Sequence, residues 1–121
     1  MKFEFDNNIP IYIQLVEQLK KYIISGKLTC GERIPSVREL ALQTKVNPNT
    51  MQRALVELEE IGLIYTERTN GKFVTNDKEL IEKYKVHYAN ELSNVYLKNM
   101  ESVGFNKTEA INYLSKLKGE E

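Results

Sequence analysis

A chain of 121 residues has room for one small domain and a short additional segment, but not for a second large domain. Seventeen basic residues balance seventeen acidic ones, so sequence-independent attraction to phosphates is modest and any nucleic-acid partner must be held by local charge. One histidine, one cysteine and no glycine-rich phosphate loop leave almost no parts for catalysis and none for an internal disulfide.

In chain order, the first strong pattern begins at Ser36. This residue is an N-cap type with Glu39 three positions on, the pair that forms a capping box. Val37, Leu40 and Ala41 supply the apolar side of a helix of two to three turns ending near Thr44. Lys45 and Val46 make a short turn. Asn47 then caps a second helix, and Pro48 suits its first position because it has a fixed φ and no N–H to satisfy. Met51, Ala54, Leu55, Leu58 and Ile61 form its inward face, whereas Asn49, Thr50, Gln52 and Arg53 remain outside that stripe. Amides and a guanidinium can reach base edges, and a helix N-terminus favours phosphate. On an isolated amphipathic helix the same residues would be ordinary solvated side chains.

The continuation gives those residues a context. Gly62 ends the helix, and Leu63, Ile64, Tyr65 and Thr66 have the β-branched and aromatic character of a strand. Asn70-Gly71 predicts a type I′ hairpin, with Phe73 and Val74 on the returning strand and Arg68 and Lys72 as basic shoulders. Two short helices, a tight turn and a hairpin form a winged helix-turn-helix pattern. Such a module grips a duplex at two points, with the second helix in the major groove and the wing on the adjacent backbone or minor groove.

These residues resemble the GntR family of bacterial transcription regulators. The likeness runs from Pro10-Ile11-Tyr12-Ile13-Gln14-Leu15, at the start of that family's first helix, through Gly26, Leu28 and Gly31. It continues through Pro35 to Ala41 and Val46 to Ala54, then Gly62-Leu63-Ile64 and Gly71 to Val74, covering about half the chain. The resemblance implies that Arg38 contacts the phosphate backbone, that the residues from Asn47 to Gln52 read bases and phosphates, and that Gly71 lets the wing tip approach the minor groove. Pro48 and Gln52 stand where well-studied members carry arginines, so base readout does not transfer directly. Cys30 stands where a proline is common.

The tail has its own pattern. Asp77 can cap a helix in which Ile81, Tyr84, Tyr88, Leu92 and Val95 recur at spacings of three, four, four and three, close to a heptad stripe. Gly104 offers a stop, and Asn106 with Glu109 forms another capping box, flanked by Phe105 and Ala110 as a hydrophobic staple. Ile111, Leu114 and Leu117 give the last helix its apolar side. This tail resembles the YtrA subfamily, whose short helical pair serves dimerisation, and a two-fold dimer suits a two-fold DNA site. The alternative is that both helices fold back and bury their stripes within one monomer.

The expected fold is therefore mainly α with a small β-hairpin wing: a winged helix-turn-helix over residues 1–75 and a helical dimerisation tail over 76–121. The candidate DNA contacts are Ser36, Arg38, Asn47, Asn49, Thr50, Gln52, Arg53, Arg68, Asn70, Gly71 and Lys72. The candidate dimer residues are Ile81, Tyr84, Tyr88, Leu92, Val95, Ile111 and Leu114. Glu57, Glu59 and Glu60 are expected to face solvent, away from the reading end of their helix. The function these residues predict is a homodimeric repressor binding double-stranded DNA at an inverted-repeat operator. A winged-helix module that binds protein instead of specific DNA is the alternative.

No catalytic residues, cofactor or metal are expected. His87 with Glu91 supplies half of a surface metal site at most, and Cys30 lacks a resolving partner for redox sensing. The tail tyrosines Tyr84, Tyr88 and Tyr96 could line a cleft for a small apolar or cationic effector, although such rings more often form interface core. No signal peptide or apolar transmembrane run occurs, which predicts a cytoplasmic protein with no membrane partner.

Overall fold

Leu15, Val16, Leu19 and Ile23 recur at helical spacing in α1 (Ile11–Ile24), and all four are buried in the computed structural model, which describes residues 1–119. Against the outer side of α1 runs the N-terminal segment, which the sequence pattern did not assign to any element. The Glu4 N–H donates to Gln18 Oε1 (3.1 Å) and Gln18 Nε2 donates to the Glu4 carbonyl (2.6 Å). Gln14 holds Asp6 in the same two-way manner, at 2.7 Å in each direction, and the Tyr22 hydroxyl both accepts from and donates to the Lys2 backbone. Four helical residues advance about 6 Å and two extended residues about 6.6 Å, so side chains at i, i+4 and i+8 can stand in for a neighbouring strand. Phe3 and Phe5, the alternate residues, pack against the core.

The next two helices begin where their caps require. In α2 (Val37–Thr44) the Ser36 hydroxyl accepts from the Glu39 N–H (3.1 Å) and the Glu39 carboxylate accepts from the Ser36 N–H (3.3 Å), closing the expected capping box. In α3 (Pro48–Glu60) Asn47 Oδ1 accepts from the Asn49 N–H (2.8 Å) and Pro48 occupies the first turn. Between them Lys45 takes a left-handed conformation, φ 58° and ψ 35°. An L-residue with a side chain is strained there by about 1–2 kcal/mol, and glycine is not. Lys45→Gly is expected to raise stability by roughly 0.5–1 kcal/mol after glycine's greater unfolded-state freedom is deducted. A lower melting temperature for this variant would show that the Lys45 side chain makes a stabilising contact larger than its backbone strain.

The inner faces of these helices meet in one core. Leu40 and Ala41 of α2 and Met51, Ala54, Leu55 and Leu58 of α3 are buried with the apolar side of α1. Gly62, at φ 83°, ends α3: its N–H donates to the Glu59 carbonyl and the Leu63 N–H to the Leu58 carbonyl, the paired bonds of a Schellman motif.

β1 (Ile64–Glu67) and β2 (Gly71–Val74) pair antiparallel, with Tyr65 opposite Phe73 and their rings stacked 5.6 Å apart. The turn between them corrects the type I′ expectation. Three residues separate the strands, the Asn70 N–H closes on the Glu67 carbonyl (3.2 Å), and only Gly71 has a positive φ, at 106°. Asn70 does not enter the left-handed region because its backbone and side chain are both directed to Glu67, the side chain by a 2.9 Å bond to the carboxylate. On the other side of β2 the segment from Glu32 to Ile34 adds a short third line of pairing. Val74 donates to Glu32, Ile34 donates to Lys72, and Arg33 forms a bridge with Phe73.

Two compact units follow from the chain's contacts, Met1–Lys85 and the part from Val86 on, so the division falls within α4 (Lys78–Ser102). In the first unit, Asp77 caps α4 by accepting from the Leu80 N–H (3.1 Å), and Leu80, Ile81 and Tyr84 pack against the winged core. In the second, Gly104 ends the helix with φ 100°, and the Gly104 and Phe105 N–H groups donate back to Glu101 and Met100. Asn106 and Glu109 close the capping box of α5 (Lys107–Lys116), where Ala110 is buried.

Candidate nucleic-acid interface

The capping groups decide which polar atoms are available. Ser36 Oγ and Asn47 Oδ1 each accept from their own helix, leaving the Ser36 hydroxyl proton and the Asn47 amide donors for an external acceptor. Arg38, Asn49, Gln52 and Arg68 are exposed, and no ion pair involves Arg38 or Arg68 among the described residues. Thr50 is half-buried on the first turn of α3. The N-termini of α2 and α3 thus each carry uncommitted donors, and a phosphate placed there would also meet the positive end of the helix.

Other expected site residues are more constrained. The Arg53 guanidinium lies over the Tyr12 ring, 4.4 Å from its centroid, and the Tyr12 hydroxyl donates to Glu57 Oε1 at 2.7 Å. That hydrogen bond and the adjacent carboxylate charge raise the Tyr12 pKa above the ordinary phenol range. α1 therefore positions a cation on the outer face of α3. Tyr12 carried only a resemblance in the sequence, since nothing in its spacing revealed a partner 45 positions away.

Lys72 is held too. Its Nζ donates to Thr66 Oγ1 (2.9 Å) and lies 3.5 Å from Glu59 Oε1, with the side chain only 19% exposed. Thr66 also donates a short hydrogen bond to Glu59. The Thr66 bond, followed by the charge of Lys72, lowers the Glu59 carboxyl below its usual range despite some desolvation. The expectation that Glu57 faces solvent is therefore corrected, since it is half-buried and tied to α1, whereas Glu59 is exposed as expected while also bonding to the wing. Glu60 is exposed as expected.

At the wing tip Arg33 Nε donates to the Asn70 carbonyl at 2.8 Å. A Cβ at position 71 would lie 3.1 Å from Arg33 Nε and 3.3 Å from Nη2, so Gly71 serves this close approach as well as its positive φ. The sequence alone does not mark Arg33 as a wing residue. The only available signal was its position two residues before Pro35, which did not distinguish it from a loop cation.

In the second unit the apolar residues expected at a dimer contact are exposed: Leu92 66%, Val95 58%, Ile111 53% and Leu114 47%. Leu92, Ile111 and Leu114 line a groove of about 620 Å³ together with Tyr96, Leu97 and Lys107. Tyr88 is half-buried and lies 5.9 Å edge-on to His87, whose Nε2 is 3.1 Å from Glu91 Oε1. No group of three metal-ligating side chains occurs among the described residues, and no described helix is long and apolar enough to cross a membrane. Cys30 is exposed.

Comparison with known proteins agrees with this geometry. Residues 11–74 match the family described as "Bacterial regulatory proteins, gntR family". A solved GntR family transcriptional regulator from Listeria monocytogenes is 40% identical, with a TM-score of 0.84 over 94% of this chain and all of that one. The HTH-type transcriptional repressor YtrA of Bacillus subtilis (strain 168) is 39% identical over 71 residues, which are 59% of this chain and 55% of the relative. The DNA-binding domain of AraR, solved in complex with its operator ORX1, is 29% identical with a TM-score of 0.57, covering 62% of this chain and 96% of that one. Its relatives are transcription regulators, some named repressors, and this chain belongs to the GntR family.

Proposed function

We propose that the protein represses transcription as a homodimer that binds an inverted-repeat operator. The observation that carries this reading is the set of uncommitted polar groups at the N-termini of α2 and α3, beside an ordered wing. Arg38, Ser36 and the α3 N-terminus hold phosphates; Asn47, Asn49, Thr50 and Gln52 read base edges; Arg53, stacked on Tyr12, meets the flanking backbone. Arg68, Asn70 and Gly71 place the wing along the neighbouring groove. The AraR domain bound to its operator supports the same use of the shared fold.

Residues 1–75 form the DNA-binding part in this reading, and 76–121 the tail that joins two copies. Ile81 and Tyr84 serve the winged core, while Leu92, Val95, Ile111 and Leu114 form the contact, with Tyr88 at its edge. None of the residues of α4 is fully buried within one chain, and its exposed Leu92 and Val95 support a role for this helix in contact with a second copy. The groove beside α5 is assigned to the second copy, not to a small effector. Two half-sites are then separated by about one helical turn or a multiple of it.

Arg38→Ala is expected to weaken binding to every sequence and to reduce the salt dependence by about one counterion, whereas Gln52→Ala mainly relaxes base preference. Fluorescence anisotropy with the promoter of its own gene cluster, repeated across salt concentrations and with a scrambled duplex, measures both. Unchanged affinity and slope for Arg38→Ala would overturn the backbone anchor. Equal affinity of the native protein for operator and scrambled duplexes would favour the protein-binding alternative.

A further inference from the structure

We propose that Arg33, in place of Lys72 and beside Arg68, delivers positive charge from the wing to the nucleic-acid backbone. This rests on the DNA-binding reading and assigns a contact outside the recognition helix. Lys72 precedes the aromatic strand pair and looks like the wing's basic shoulder, but its Nζ is held by Thr66 and Glu59 and its side chain is largely covered. Releasing it would break the link between α3 and the wing.

Arg33 is arranged differently. Its backbone is bridged to Phe73 in β2, and its Nε donates to the carbonyl of Asn70 in the turn. Arg33 is thus tied to the wing twice, by its backbone to β2 and by its guanidinium to the turn beside Gly71. Guanidinium has five N–H donors, and only Nε–H is used here. The remaining donors belong to an exposed residue that pairs with no carboxylate among the described residues. A guanidinium already fixed in plane loses little freedom when it engages a phosphate with two parallel bonds. Gly71 is part of the same device, because a Cβ there would press on the guanidinium at 3.1–3.3 Å and force it to shift by a few tenths of an ångström.

The test compares R33A, R33K, K72A and R38A in operator titrations over a salt series, with thermal melts to confirm folding. R33A is expected to lower affinity about tenfold and to reduce the salt slope by about one. R33K keeps the charge but lacks the Nε donor, so it should retain most of the slope while losing some affinity. K72A should leave the slope unchanged. If R33A acted only by loosening the wing, R33K would lose the slope as well, and the proposal would be overturned. An unchanged slope in R33A, or a slope reduced in K72A instead, would overturn it too. R38A separates the two levels of inference: loss of slope in R38A but not in R33A refutes only the role of Arg33, whereas no loss in either refutes the DNA-binding reading.

Discussion

Ile111→Asp combined with Leu114→Asp is expected to convert the protein from a dimer to a monomer at micromolar concentration and to weaken operator binding by about 10²–10⁴-fold. Both side chains are about half exposed in a single chain, so charge at these positions leaves the winged core intact. In the proposed dimer these positions lie at the contact between copies, where the introduced carboxylates would have to be desolvated. The loss of affinity is large because the second half-site no longer binds as an intramolecular event. Light scattering reads the mass and anisotropy the affinity, while a melting curve for the winged unit should be little changed. A native protein that elutes as a monomer, or a doubly charged variant that stays dimeric, would remove the tail from the dimer.

Leu55→Ala is expected to destabilise the winged unit by about 2–5 kcal/mol, against a total of about 5–15 kcal/mol for a domain of this kind. Leu55 is fully buried in α3 within the core shared with α1 and α2. Removing three carbons there costs their transfer from water and leaves a cavity that rigid helices cannot close. The midpoint of thermal unfolding should fall by roughly 10 °C or more. Leu42→Ala supplies the contrast, since Leu42 is 73% exposed and its loss should change stability by less than about 0.5 kcal/mol. A shift below about 1 kcal/mol for Leu55→Ala would mean that the core repacks around the vacancy. Operator affinity measured well below the melting point separates stability from recognition, because Leu55 faces away from the reading edge of α3.

What was legible in the sequence depended on short-range patterns. Ser36 with Glu39, Asn47 with Pro48, and Asn106 with Glu109 each specify a helix start through side-chain bonds spanning two or three residues, and all three occur as expected. The inward faces of α2 and α3 follow from spacing alone. The wing was located correctly but its turn was not. Asn-Gly is equally suited to a turn in which Asn ends a three-residue loop and the glycine that follows it alone takes the positive φ, and the choice depended on Glu67 and Arg33 capturing both polar ends of Asn70. The N-terminal segment escaped notice because its partners Gln14, Gln18 and Tyr22 look like ordinary helix-surface residues until a chain lies beside them.

By itself, the sequence determined the starts of α2, α3 and α5, the buried faces of α2 and α3, and the family, because caps and apolar periodicity act over a few residues and carry their physics locally. Tertiary structure alone decided how each exposed charge is used. Lys72 is bound to Glu59, Arg53 is laid on Tyr12, and Arg33 is drawn onto the wing across 37 positions of chain. Charge and residue type are local properties, but whether a cation is neutralised, stacked or left available for phosphate depends on which acids, rings and carbonyls the fold brings within a few ångströms of it.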